Sequence, residues 1–104
     1  MTSISPNQLQ QWRSTGADHQ LIDVREIYEV DICTLGGQHI PMGEITNHLE
    51  LLRKDIPLVI HCKSGRRSEA VVAHLERLGF SNAKSLEGGI MAWIEQVEPA
   101  LEKY

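Results

Sequence analysis

The chain has 104 residues, 41% hydrophobic and 23% charged, with a formal net charge of -4. That is one domain's length, enough for one core that buries roughly 60–70% of the unfolded surface. With no basic tail or stripe, the composition argues against nucleic-acid binding as a main activity, and no apolar run is long enough to span a bilayer.

Ser5-Pro6 reads as an N-cap followed by Pro at the first helical position; Leu9 and Trp12 give that helix an apolar stripe and Gly16 ends it. Gln20 to Val24 reads as a strand, with a short helix following over Glu26 to Asp31. Gly36-Gly37 marks a turn and His39-Ile40 a short strand. Ile45, Leu49 and Leu52 are spaced as one helical face. Pro57 to His61 is nearly all apolar, as a strand covered on both faces must be. Val71, Leu75 and Leu78 form a further helical stripe, with Gly79 in the position that closes a helix. Ala83 to Leu86 is a weak strand. Gly88-Gly89 then opens a helix with Ile90, Trp93, Ile94 and Val97 on one face, stopped near Pro99. Strands alternating with helices predict an α/β fold: a parallel sheet with helices on both sides, formed by residues 1–104 as a single domain.

Two cysteines, Cys33 and Cys62, are too few for a disulfide framework. Met1 to Pro6 shows no charged segment followed by an apolar run, so no secretory leader is read. A reducing cytoplasm with free thiols is the expected compartment. The five histidines and two cysteines show no metal-ligand spacing, so no metal is expected.

In an open parallel sheet the site lies past the carboxyl ends of the strands. Cys62 stands there, directly after Pro57 to His61, and Asp23 stands near the end of another strand. Lys63, Ser64, Gly65, Arg66, Arg67 and Ser68 follow, and then a helix. A loop running into a helix start aims unpaired N–H groups at one point, and the helix adds roughly half a positive charge. With three cations alongside, a thiolate is favoured over a thiol. Gly65 lets the backbone turn tightly around an anion. By residue type alone Cys62 is a buried, inert cysteine; its neighbours Lys63, Gly65, Arg66 and Arg67 reverse that reading.

Cys62-Lys63-Ser64-Gly65-Arg66-Arg67-Ser68 resembles the active-site loop of rhodanese-like sulfurtransferases, Cys-x-x-Gly-x-Arg-Ser. Leu21 to Glu26 is similar to that family's Asp-Val-Arg segment, His39-Ile40-Pro41 to its His-Ile-Pro, and Gly88-Gly89 with Trp93 to its Gly-Gly-x-x-x-Trp ending. The ordered set runs from about Leu21 to Trp93. The resemblance implies a rhodanese-like fold with a central parallel five-stranded sheet. It also implies that Cys62 takes a sulfane sulfur as a persulfide and passes it to a nucleophile, with no cofactor. The donor it implies is a small anion such as thiosulfate or a persulfidated protein. The stretch Glu29 to Pro41 departs from the common Gly-His-Ile-Pro-Gly-Ala run. It is similar instead to the rhodanese domain of E1-like adenylyltransferase-sulfurtransferases, as is the ending Met91-Ala92-Trp93 through Val97-Glu98-Pro99 to Tyr104, which suggests a ubiquitin-like sulfur carrier as a partner.

Among the supporting residues, Arg66 and Arg67 are candidates to hold an anionic donor, to lie solvated, or to pair with Asp23. Asp23 and Arg25 are expected to fix the loops at this edge. His61 is expected to be structural, because neighbours on a strand face opposite ways. Cys33 is expected to be a small buried hydrophobe rather than a disulfide partner of Cys62. Trp93 is expected in the core. Two other functions compete. A cysteine phosphatase or arsenate reductase also uses a cysteine at the head of an anion cradle, but the His-Cys-x5-Arg loop needs Arg where Ser68 stands. A non-catalytic rhodanese-like interaction module would have no need of Cys62.

Overall fold

The structure, a computed structural model, describes residues 3–104. Met1 and Thr2, the start of the stretch read for a leader, lie outside the described residues. The sheet has five strands: β1 Ser3–Ile4, β2 Gln20–Asp23, β3 Gln38–His39, β4 Leu58–His61 and β5 Ala83–Leu86. All pairs are parallel, in the order β1-β5-β4-β2-β3. Parallel neighbours need long return connections. These are α1 Pro6–Thr15, α2 Ile27–Ile32, a 3-10 stretch Met42–Leu51 and α3 Arg66–Arg77, while α4 Gly89–Gln96 follows the last strand.

The helix ends follow local chemistry. The Ser5 hydroxyl accepts the Gln8 N–H, Pro6 opens α1, and Gly16 closes it at φ 76°, a conformation that favours glycine. Every side chain of β4 is buried, and alternation divides them between two cores. Leu58 and Ile60 pack with Ile22, Val71, Leu75 and Phe80 beneath α3 and the 3-10 stretch. Val59 packs with Ile4, Leu9, Leu86, Ile90 and Trp93 beneath α1 and α4. Helices therefore cover both faces, as the alternating pattern predicts.

Three details differ from the sequence reading. The Ile45–Leu49–Leu52 spacing predicts an α-helix; the segment is 3-10, broken at His48 (φ -131°, ψ 31°). A continuous 3-10 helix, with three residues per turn, would align Ile45 with His48 and Leu51. The break at His48 returns Leu49 and Leu52 to the core side, where Leu52 is buried and Leu49 half-buried. Leu78, expected on the α3 stripe, lies beyond the last helical residue and is 41% exposed. Val72 takes the place in the core, and Phe80 folds back, its N–H donating to Leu75 O at 2.9 Å. β1 was not anticipated, because two residues carry no alternation to read; it pairs with β5 through Ser3 and Ile4.

Leu75→Ala should lower stability by about 3 kcal/mol, through lost burial and a cavity, whereas Leu78→Ala should cost less than about 1 kcal/mol. Denaturant unfolding of the two variants checks the reassigned stripe. Equal losses would contradict it.

Candidate active site

Cys62 is the first residue after β4, at the carboxyl edge of the sheet. Its side chain joins the core beneath α3, on the opposite face from that of its neighbour His61. Cys62 Sγ accepts two main-chain N–H groups, from Gly65 at 3.1 Å and from Ser68 at 3.4 Å. The Ser68 hydroxyl lies 3.6 Å from the sulfur and donates to Gly65 O at 3.1 Å, with Ser85 Oγ 2.7 Å away. Gly65 precedes α3 at φ 105°, so the turn that aims its own N–H inward favours glycine.

The carbonyls of the loop are taken up elsewhere. Cys62 O accepts the Ile90 N–H at 2.9 Å and Lys63 O accepts the Met91 N–H at 3.1 Å. These N–H groups belong to the first turn of α4, which has no internal acceptor for them. The approach requires Gly89, where a Cβ would collide with the carbonyls of both Cys62 and Lys63. The two glycines therefore have separate tasks. Gly65 turns the amides toward the sulfur, and Gly89 lets α4 hold the other side of the loop.

Two carboxylate–guanidinium pairs stand behind this loop. Asp23 and Arg25 are both fully buried; Arg25 Nη2 donates to Asp23 Oδ2 at 2.7 Å and Nε to Oδ1 at 2.9 Å. Arg25 also donates to Cys33 O at 2.7 Å, and its own carbonyl lies 2.7 Å from His39 Nε2. Burial pushes the Asp23 carboxyl up, but the Arg25 donors and the nearby His61 outweigh it and hold the carboxyl below its ordinary value. The second pair is Arg67 with Glu29, two-pronged at 2.7 and 2.8 Å. The Arg67 donors hold the buried Glu29 carboxyl down at about 2, against the opposing effect of burial.

The residues named from sequence thus gather at one edge but in unlike roles. Asp23 pairs with Arg25 and with neither loop arginine. Arg67 faces Glu29, Arg66 is exposed at the start of α3, and Ser64 is exposed. Lys63 is half-buried with Nζ 4.6 Å from the centre of the Tyr104 ring. Cys33 is buried in the core beneath α1 and α4, across the sheet from the core that holds Cys62. His61 is buried with both ring nitrogens unpartnered, and Asp23 Oδ2 lies 3.7 Å from its Nε2. Burial pushes its imidazole down to about 4, with Asp23 opposing.

Three residues escaped the sequence reading. Glu29 has one local signal: it lies three residues after Glu26, the spacing of a reciprocal helix cap, and Glu26 N donates to its Oε2 at 2.9 Å. Ser85 has none, and Tyr104 has only its place in the ending that resembles adenylyltransferase-sulfurtransferases, which assigns it no contact.

The chain matches the family described as rhodanese-like domain over residues 5–96. It is 39% identical over 106 aligned residues to the Mycobacterium tuberculosis protein named "Probable adenylyltransferase/sulfurtransferase MoeZ", covering 99% of this chain and 27% of that protein. The chain therefore spans about a quarter of that relative's length. It is 33% identical to the thiosulfate sulfurtransferase GlpE of Pseudomonas aeruginosa, covering 93% of this chain and 86% of that one. The crystal structure of a rhodanese-like domain protein from Staphylococcus aureus superposes with a TM-score of 0.80 at 30% identity, covering 100% of this chain and 99% of that chain. The chain belongs to the rhodanese-like domain family.

The buried titrating groups fix the acid limit of the fold. The folded value of His61 lies below its ordinary 6.5, so between pH 6.5 and about 4 the unfolded chain binds the extra proton and stability falls as pH drops. Glu29 stabilises above its ordinary 4.5, and this contribution is lost as pH falls toward about 2. Urea midpoints between pH 7 and pH 4 should decline, and His61→Gln should flatten that decline. A wild-type profile that is level across this range would contradict the burial of a neutral imidazole.

Proposed function

We propose that residues 1–104 act as one rhodanese-like sulfurtransferase unit that carries sulfur as a persulfide on Cys62. The convergence of the Gly65 and Ser68 N–H groups on Cys62 Sγ carries this reading. Two main-chain donors hold the sulfur at the head of the loop, where it is placed to act as the nucleophile. With thiosulfate as donor, the Cys62 thiolate attacks the outer sulfur. A new S–S bond forms, the S–S bond of thiosulfate breaks, and sulfite leaves with its electron pair. The terminal sulfur of the persulfide then bonds to a nucleophile such as cyanide. The bond to Sγ breaks and the thiolate returns, releasing thiocyanate. Neither half-reaction needs a cofactor.

Glu29 largely neutralises Arg67, so Lys63 and Arg66 are the loop cations that meet an anionic donor. Asp23 and Arg25 act as supports, tying the loop after β2 in place. The name of the GlpE relative favours thiosulfate as one donor. A persulfidated protein as a further donor and a ubiquitin-like sulfur carrier as acceptor follow from the resemblance of Glu29 to Pro41 to adenylyltransferase-sulfurtransferases, a double name that the MoeZ relative also carries, and a reducing cytoplasm is the compartment proposed for the free thiols. Phosphoryl transfer is disfavoured because Ser68 stands where a phosphatase loop needs Arg, and the nearest arginine, Arg67, is bound to Glu29.

Incubation with thiosulfate should add the mass of one sulfur atom to the protein, and cyanide should remove it as thiocyanate. Cys62→Ser should abolish both steps and Cys33→Ser neither. Intact-protein mass spectrometry reads the result. A folded protein that never acquires sulfur would contradict the reading and favour a binding module, whereas phosphatase turnover lost in Cys62→Ser would favour the phosphatase.

A further inference from the structure

Tyr104 has no role in the sequence reading beyond closing the ending that resembles adenylyltransferase-sulfurtransferases, yet its one side chain joins three parts of the site. Its hydroxyl accepts from Arg25 Nη1 at 3.0 Å and donates to Glu29 Oε1 at 2.8 Å. Its ring lies under Lys63, with Nζ 4.6 Å from the ring centre, and Arg25 Cζ is 5.7 Å from the same centre. It thus bridges the buried pair Asp23–Arg25 and the part-buried pair Glu29–Arg67, and carries the residue that follows Cys62. Burial pushes the hydroxyl up to about 12, so it remains a donor to Glu29 at neutral pH.

We propose that Tyr104 is a positioning residue of the sulfur-transfer site, holding the Lys63 ammonium on its ring so that an anionic donor meets a stationary cation. This rests on the reading of Lys63 as a donor-binding residue. A free lysine chain must lose its rotamer freedom when a donor binds, whereas one already seated on an aromatic face has lost part of it beforehand. The ring bears on Lys63 and the hydroxyl on Arg25 and Glu29, so the two parts of the side chain have separable effects.

Thiosulfate–cyanide kinetics on Tyr104→Ala, Tyr104→Phe, Lys63→Met and the Tyr104→Ala/Lys63→Met double variant test this. Tyr104→Ala is expected to raise KM for thiosulfate about two- to fivefold, the factor a cation on an exposed aromatic face represents, with kcat changed less. Tyr104→Phe keeps the ring and is expected to retain most of the wild-type KM. The double variant is expected to match Lys63→Met, because both substitutions remove one contact. A wild-type KM in folded Tyr104→Ala, additive effects in the double variant, or an unchanged KM in Lys63→Met would each overturn the proposal. If Tyr104→Ala proves too unstable, Tyr104→Leu, which keeps apolar bulk without an aromatic face, is expected to raise KM by the same factor, and a wild-type KM there overturns the proposal. Thiosulfate binding to the same variants in a Cys62→Ser background, by calorimetry, gives a readout independent of chemistry. Absence of sulfur uptake by the wild type overturns the functional reading alone, while equal thiosulfate affinity with and without the Tyr104 ring overturns this one alone.

Discussion

Two main-chain N–H groups, from Gly65 and Ser68, meet on the sulfur of Cys62, and much of the surrounding structure serves to keep them there. A loop that turns its amides inward must place its carbonyls elsewhere, and a buried carbonyl without a donor is costly. Here α4 receives them. Ile90 and Met91 donate to the carbonyls of Cys62 and Lys63, and Gly89 lets the two backbones meet. Ser68 and Ser85 close the remaining side: their hydroxyls lie 2.7 Å apart, and that of Ser68 donates to Gly65 O. Hydrophobic packing of α3 and α4 on opposite faces of the sheet thus becomes the geometry around one atom.

The charged residues form a second layer that frames this centre. Burying an ion pair gains little over apolar packing, but removing one partner leaves an uncompensated charge. Asp23–Arg25 is such a pair, and the buried Glu29 depends in the same way on Arg67, itself only part-buried. This changes the electrostatic picture drawn from sequence. Three cations next to the cysteine suggest an open positive patch, but Arg67 is matched by Glu29 and Lys63 rests on Tyr104. Main-chain amides thus contact the sulfur, while Arg67 is turned to a carboxylate and Lys63 to an aromatic ring. The sulfur itself lies deep, with Cys62 only 1% exposed.

Much of this was legible in the sequence because it is local. The apolar run of β4 fixes a central strand, the residues after it fix a loop leading into a helix, and Gly65 and Gly88-Gly89 mark where the backbone must turn. The family membership rests on the same ordered motifs. What the sequence did not disclose is non-local. Glu29 lies 38 positions from Arg67, and Tyr104 lies 75 from Glu29 and 79 from Arg25, so no periodicity connects them. Local misreadings arose where a few residues override the period, as with the break at His48 and the helix end before Leu78. The alternation argument for His61 and Cys62 needed only the direction of β4, and the two side chains do lie on opposite faces.

The most direct measurement is NMR of the Gly65 and Ser68 amide protons across a pH titration, in the wild type and in Cys62→Ser. If these amides hold the anionic sulfur, both resonances move downfield as the thiol ionises and stay still in Cys62→Ser. Resonances that ignore the ionisation of Cys62, in a protein that still transfers sulfur, would show that something other than these two amides stabilises the thiolate.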